Sequence, residues 1–141
     1  MTKNTYCSEH VDPHNLPRLF LKLARSQLEI SNSMSLLLQK TNIIRDYRED
    51  CDDKRYFWPR DIWGKKEYGF QEMKDMYAPG AEQRAQWVQS ELMLDAMRHA
   101  TDALDYLRNL TNQSIFAFCA IPAAMAIATL DLCFVNPAMF Q

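Results

Sequence analysis

The residues best suited to chemistry lie in the segment Ser33–Asp50, SMSLLLQKTNIIRDYRED. On an α-helix, side chains three and four residues apart share a face. Gln39 and Asn42 are three apart, Asn42 and Asp46 four, and Asp46 and Asp50 four, with Glu49 three beyond Asp46. The stripe carries two amides and then two or three carboxylates over about three helical turns. Magnesium takes hard oxygen ligands, keeps several waters and is commonly shared between one or two carboxylates and substrate phosphates. Asp46, Glu49 and Asp50 are therefore candidate metal ligands, suited to hold a diphosphate through bridging cations. Arg45, Arg48, Lys54 and Arg55 lie close in sequence and can neutralise phosphate oxygens directly. The same string also suits a solvated acidic helix end with i,i+4 ion pairs. A purely solvated face would not need the upstream amides Gln39 and Asn42 set between apolar flanks.

The stripe requires a long helix. Met34, Leu37, Leu38, Thr41, Ile43 and Ile44 give an apolar surface at helical spacing, and Ser31, Asn32 and Ser33 are suitable N-caps, so a helix is expected from about Ser31 to Asp50. An earlier helix is expected over Arg18–Ile30, with Leu19, Phe20, Leu23 and Leu28 as its apolar side and Pro13 and Pro17 at its entry. The aromatic connection RYFWP follows the acidic cluster. Asp61–Trp63 can start a short helix, and Gly64–Gly80 reads as loop. A third long helix is expected over Ala81–Leu110, where Trp87, Leu94, Met97, Leu104 and Leu107 recur at helical intervals. A fourth is expected over Gln113–Phe134, stopped by Asn136-Pro137. No alternating run is long enough for a convincing strand. The expected fold is all-α, with about four main helices.

Composition agrees: 141 residues, 48% hydrophobic and 24% charged, with few glycines and prolines, suit a soluble globular chain. A net charge of −2 offers no clustered basic surface, so no nucleic-acid partner is expected. Cys7, Cys51, Cys119 and Cys133 fit neither a zinc site nor a disulfide framework and read as reduced thiols. The three histidines, His10, His14 and His99, lack ligand spacing. Leu110–Leu130 has no charged residue and is long enough to span a bilayer. Its polar start, the central Pro122 and the nearby Asp131 favour a buried core helix over a membrane span.

Three strings, in order, resemble one family. QKTNIIRDYRED is similar to the second aspartate-rich motif of squalene synthases, which belong to the head-to-head trans-isoprenyl diphosphate synthases. RYFWP resembles their FWP segment. NQSIFAFCAIPAAMAIATLDLCF resembles their third signature region. The similarity runs from about Leu16 to Gln141 and is weak over Lys65–Ala81. It implies a partial isoprenoid-synthase helical bundle. It also implies condensation of two farnesyl diphosphates through presqualene diphosphate, with Mg2+, and reduction to squalene with NADPH. By position it assigns metal binding to Asp46 and Asp50. It assigns substrate binding to Gln39, Asn42, Arg45 and Arg55, and the cation-facing aromatics to Phe116 and Phe118. An aromatic face stabilises a carbocation through its quadrupole; both phenylalanines also suit ordinary core packing. Tyr6-Cys7 resembles a pair whose tyrosine is catalytic in the family, although the match breaks at SEHVDPHNLP.

The sequence departs from the family at Ser35, where the family has glycine, and at Ala117 and Ala123, where it has polar residues. Residues 1–141 are expected to be the C-terminal part of an isoprenoid-synthase domain, without the first aspartate-rich motif and without the family's C-terminal membrane anchor. Two functions stay open: an enzyme of sterol biosynthesis, and a catalytically incomplete helical binding protein. The family location is the endoplasmic reticulum membrane, with this chain on its cytoplasmic side or in the cytosol. Exposed apolar helix faces would favour self-association.

Overall fold

The computed structural model describes residues 16–140, and every regular element among them is helical. The elements are α1 (Leu16–Arg45), α2 (Tyr47–Asp52), α3 (Arg60–Trp63), α4 (Glu82–Met97), α5 (Ala100–Arg108) and α6 (Gln113–Cys133). Short 3-10 turns cover Met73–Tyr77 and Pro137–Phe140. The all-α expectation holds, with α1, α4, α5 and α6 as the four main helices and α1 packed on the other three.

Two helix boundaries differ from expectation. The two helices expected on either side of Ser31 are one 30-residue helix. Of the expected N-caps, Ser33 satisfies its side chain elsewhere, and Ser35 beside it does likewise. Ser33 Oγ donates to Asp102 Oδ2 of α5 at 2.9 Å, and Ser35 Oγ donates to the Ser31 carbonyl. A serine whose hydroxyl finds a partner inside the helix or across the interface no longer competes with the helical backbone. The expected third helix is divided at Arg98 and His99, between α4 and α5. His99 lies at that junction and joins a polar chain. Lys40 Nζ donates to Asp95 and lies 3.0 Å from His99 Nε2, while His99 Nδ1 faces Ser33 Oγ. The chain ties α1 to both α4 and α5, which gives His99 a structural task.

Where the four main helices meet, the core is built from small and medium side chains. Met34, Leu37, Thr41 and Ile44 of α1 are buried in a three–four rhythm. They meet Ala85, Val88, Leu92, Met93 and Ala96 of α4, Ala103 and Leu107 of α5, and Ala123, Ala126 and Leu130 of α6. The large apolar residues expected to form the buried stripe of the third helix, Trp87, Leu94, Met97 and Leu104, point outward; only Leu107 is buried. Alanine at the contact lets helix axes approach closely, and the bulkier residues then take the other face. The Leu110–Leu130 stretch is likewise not a buried core helix among the described residues. Only Ala123, Ala126, Leu130 and Cys133 of α6 are buried. Ile115, Phe116, Phe118, Ile121, Met125 and Leu132 are exposed. By length and composition α6 is apolar enough to cross a membrane. Leu23 and Leu28 are exposed as well, and the side chains of Leu19 and Phe20 lie outside the described set.

The start of α6 needs no tertiary help. Asn112 is its N-cap, and its Oδ1 accepts from the backbone N–H groups of Ser114 and Ile115 at 3.0 and 3.1 Å. Cys51, Cys119 and Cys133 form no disulfide.

Candidate functional site

The acidic segment sits where α1 gives way to α2. An uninterrupted helix would donate the Tyr47 N–H to the Ile43 carbonyl. Trp58 Nε1 instead donates to that carbonyl at 2.9 Å. The helix is interrupted for one residue, Asp46, at φ −88° and ψ 12°. The bonds Asp46 N–H to Asn42 O and Asp50 N–H to Asp46 O, both 2.9 Å, carry the register across. Asn42, Asp46 and Asp50 therefore keep their i,i+4 relation although two helices share the stretch.

Tyr47 anchors this turn. Its side chain is fully buried, and its hydroxyl donates to the Met73 carbonyl at 2.5 Å. Its ring lies 4.5 Å from the Trp58 ring and 5.4 Å from that of Phe140. Burial first, and then Cys51 and Tyr77, push the Tyr47 phenol far above the ordinary tyrosine range. It stays a neutral donor at any physiological pH.

Past α2 the backbone reverses in a Schellman turn. Arg55 N–H donates to the Asp50 carbonyl at 2.7 Å and Lys54 N–H to that of Cys51 at 3.1 Å. Lys54 supplies the left-handed residue at φ 59°, a role usually taken by glycine. The reversal returns Arg55 to the helix it has just left. Its Nε and Nη2 both reach Asp50 Oδ1 at 3.0 Å, and Nη2 also reaches Asp53 at 3.1 Å. Asp50 is only 7% exposed. Asp46 is half-buried and gripped in a fork by its neighbour, with Arg45 Nε to Oδ1 at 2.6 Å and Nη2 to Oδ2 at 2.8 Å. That hydrogen bond raises the Arg45 pKa further, so the guanidinium is charged throughout. Glu49 is exposed. Arg48 bonds Asp52 and covers the Tyr77 ring at 4.2 Å.

The other expected site residues are distributed over the surface around this turn. Asn42 and Arg45 open on a groove of about 310 Å³ between α1 and α6, whose far wall is Pro122, Met125, Ala126 and Thr129. Gln39 opens on a separate groove of about 220 Å³ toward Phe57, Pro59 and Asp95. Phe116 and Phe118 are exposed near the start of α6, one turn or more before the groove-lining Pro122, and Phe118 is 79% exposed. Tyr6 lies outside the described residues.

Among the described residues no three His, Cys, Asp or Glu side chains converge as a ready-made metal cage. Magnesium does not need one. Asp46 and Asp50, one helical turn apart and each with an arginine at its oxygens, suit an ion held by one or two carboxylates and completed by phosphate oxygens. The structural roles of Trp58 and Tyr47 went unrecognised in the sequence, as did the turn conformation of Lys54, which was expected only as a charge beside phosphate. The aromatic run Tyr56-Phe57-Trp58-Pro59 was the available signal, but it does not reveal which carbonyl the indole reaches.

Residues 14–141 match the family Squalene/phytoene synthase. The chain is 58% identical over 123 residues to the squalene synthase of Ganoderma lucidum, covering 82% of this chain and 26% of that protein. It is 52% identical over 129 residues to that of Mycosarcoma maydis, covering 82% and 23%. With the squalene synthase of Rattus norvegicus the identity is 47% over 113 residues, covering 80% and 26%. Among solved structures, TcSQS with the ligand BPH1237 superposes with a TM-score of 0.74 at 39% identity, over 79% of this chain and 33% of that one. The chain thus spans about a quarter of the length of the curated relatives it matches.

Proposed function

The chain belongs to the squalene/phytoene synthase family, and on that premise we propose that it is the C-terminal part of an isoprenoid-synthase domain that joins two farnesyl diphosphates head to head. The product sequence runs through presqualene diphosphate and, with NADPH, to squalene. The observation that carries this proposal is the acidic turn: Asp46 and Asp50 stay in i,i+4 register across a helix interruption, each with an arginine on its carboxylate.

Magnesium, when bound, would join carboxylate and diphosphate oxygens and offset the negative charge of the leaving diphosphate. Asp46 and Asp50 are the residues to hold it, with Glu49 exposed beside them. Arg45 and Arg55 bring permanent positive charge to the same place, and their planar forks match phosphate as well as carboxylate. Asn42 shares the α1–α6 groove with Arg45 and can hydrogen-bond a diphosphate oxygen there. Gln39 takes a substrate-binding role from the neighbouring groove. Phe116 and Phe118 present exposed aromatic faces near the start of α6, of a kind that stabilises a cation through the ring quadrupole. Tyr6 is assigned a catalytic role through its family position. Among the described residues no structural feature singles out a nicotinamide site, so NADPH enters through the family alone. We place the protein at the cytoplasmic side of the endoplasmic reticulum membrane or in the cytosol, a reading that rests on the family.

One observation favours a second reading, a non-catalytic helical binding protein. The outward faces of α4 and α6 carry Trp87, Leu94, Phe118, Met125 and Leu132 in the open. Incubation with farnesyl diphosphate, magnesium and NADPH separates the two. Presqualene diphosphate or squalene that disappears in Asp46→Asn and Asp50→Asn is the expected result. A folded chain that yields neither product leaves the binding protein as the function of these 141 residues.

A further inference from the structure

Trp58 is 3% exposed, yet its one polar atom is spent on a carbonyl fifteen residues earlier in the chain. That carbonyl, of Ile43, is the acceptor the helix would otherwise offer to Tyr47. The interruption at Asp46 follows at once: α1 ends at Arg45 and α2 begins at Tyr47. Trp58 is held through its backbone as well as its ring. Trp63 Nε1 donates to the Trp58 carbonyl at 2.9 Å, which fixes the backbone to α3. The Tyr47 ring packs against the Trp58 face at 4.5 Å with a 40° tilt.

From this we infer that Trp58 is a positioning residue for the metal–diphosphate site: by taking the Ile43 carbonyl it ends α1 before Asp46 and sets the angle at which Asp46 stands to Asp50. The inference rests on the proposed function of these two aspartates. Continuous α-helix through Asp46 would leave both carboxylates on one straight stripe. The interruption sets Asp46 at φ −88° and ψ 12° between the two helices, half-buried, with Asp50 nearly enclosed. Nothing else among the described side chains donates to the Ile43 carbonyl. Trp63 offers an internal comparison. It is also buried, and it makes a bond of the same kind and length one step further from the acidic turn.

The test uses Trp58→Phe, which keeps an aromatic ring against Tyr47 and deletes the donor, with Trp58→Tyr as a second variant should the first fail to fold. Trp63→Phe and Asp46→Asn are the controls. Inorganic pyrophosphate is titrated calorimetrically at a series of magnesium concentrations, and Tyr47 amide exchange is followed by NMR. Trp58→Phe is expected to raise the magnesium needed for half-saturation several-fold, in line with the net worth of one hydrogen bond. It is also expected to slow exchange at the Tyr47 amide as the helix closes over it. Trp63→Phe, at a similar loss of thermal stability, should leave the magnesium requirement alone. An unchanged requirement in Trp58→Phe, or an equal shift in Trp63→Phe, overturns the role of Trp58 while Asp46→Asn still abolishes binding. If the wild-type chain does not bind, or Asp46→Asn binds as wild type does, the aspartate assignment falls and the inference with it.

Discussion

Replacing Tyr47 by phenylalanine and by alanine separates the two forces that hold the aspartate-bearing turn. Phenylalanine keeps the ring packed on Trp58 and Phe140 but removes the hydroxyl that donates to the Met73 carbonyl. Loss of one buried hydrogen bond, with its acceptor left unpaired, costs about 1–2 kcal/mol. For a chain of this size that is a fall in Tm of roughly 3–8 °C. Alanine also empties the ring's place in a fully buried site, and the total rises to about 3–5 kcal/mol. Urea unfolding followed by circular dichroism measures both, with the slope against denaturant unchanged if only stability moves. The phenol adds a pH signature. Its folded pKa is raised, so its stabilisation is complete below the unfolded value of 10.0. Above that, the unfolded chain gives up the proton first, and stability falls as pH rises toward the folded value. Tyr47→Phe should lessen that alkaline loss without abolishing it, because burial raises the Tyr68 phenol too. A phenylalanine variant as stable as wild type at pH 7, or an alanine variant no worse than phenylalanine, would refute this account of the turn.

Lys54→Gly should raise stability by about 0.5–1 kcal/mol, since Lys54 stands at φ 59° in the Schellman turn; a loss in thermal unfolding would show that the lysine side chain outweighs its backbone strain. Gln89 is wholly buried with neither amide atom hydrogen-bonded, so Gln89→Met is expected to stabilise by about 1 kcal/mol in the same assay; destabilisation would point to a buried water as its partner. Glu91 is held below the ordinary carboxylate range by Lys65 and then Tyr68. Its stabilisation is present above the unfolded pKa near 4.5 and is lost as pH falls through the lower folded value, so Glu91→Gln should flatten the acid limb of a Tm–pH curve. The exposed face of α6 should drive concentration-dependent association, reduced by Phe118→Ser with Leu132→Ser. Sedimentation as a monomer at all concentrations would count against it.

The linear sequence was enough for the fold class, the order of the helices and the acidic stripe. Helical class follows from the period of apolar residues, and the i,i+4 relation of Asn42, Asp46 and Asp50 follows from spacing alone; both are local properties that survive in the structure. The start of α6 was equally local, because the Asn112 cap lies within three residues of the groups it satisfies. The family was legible too, because its motifs are short strings.

Tertiary structure decided the rest. Whether Ser31–Ser33 begin a helix or lie inside one depended on Asp102, some seventy residues away, accepting from Ser33. Which face of α4 is buried depended on the helices packed against it, which cover Ala85, Val88, Leu92, Met93 and Ala96 and leave Trp87 and Leu94 exposed. Where α1 ends depended on an indole from a later loop reaching the Ile43 carbonyl. That Asp50 is enclosed and Asp46 half-open, each with its own arginine, depended on the turn that follows. Periodicity records which residues can share a face. The partner that claims a given carbonyl or covers a given face arrives from distant sequence, and only the folded chain brings it there.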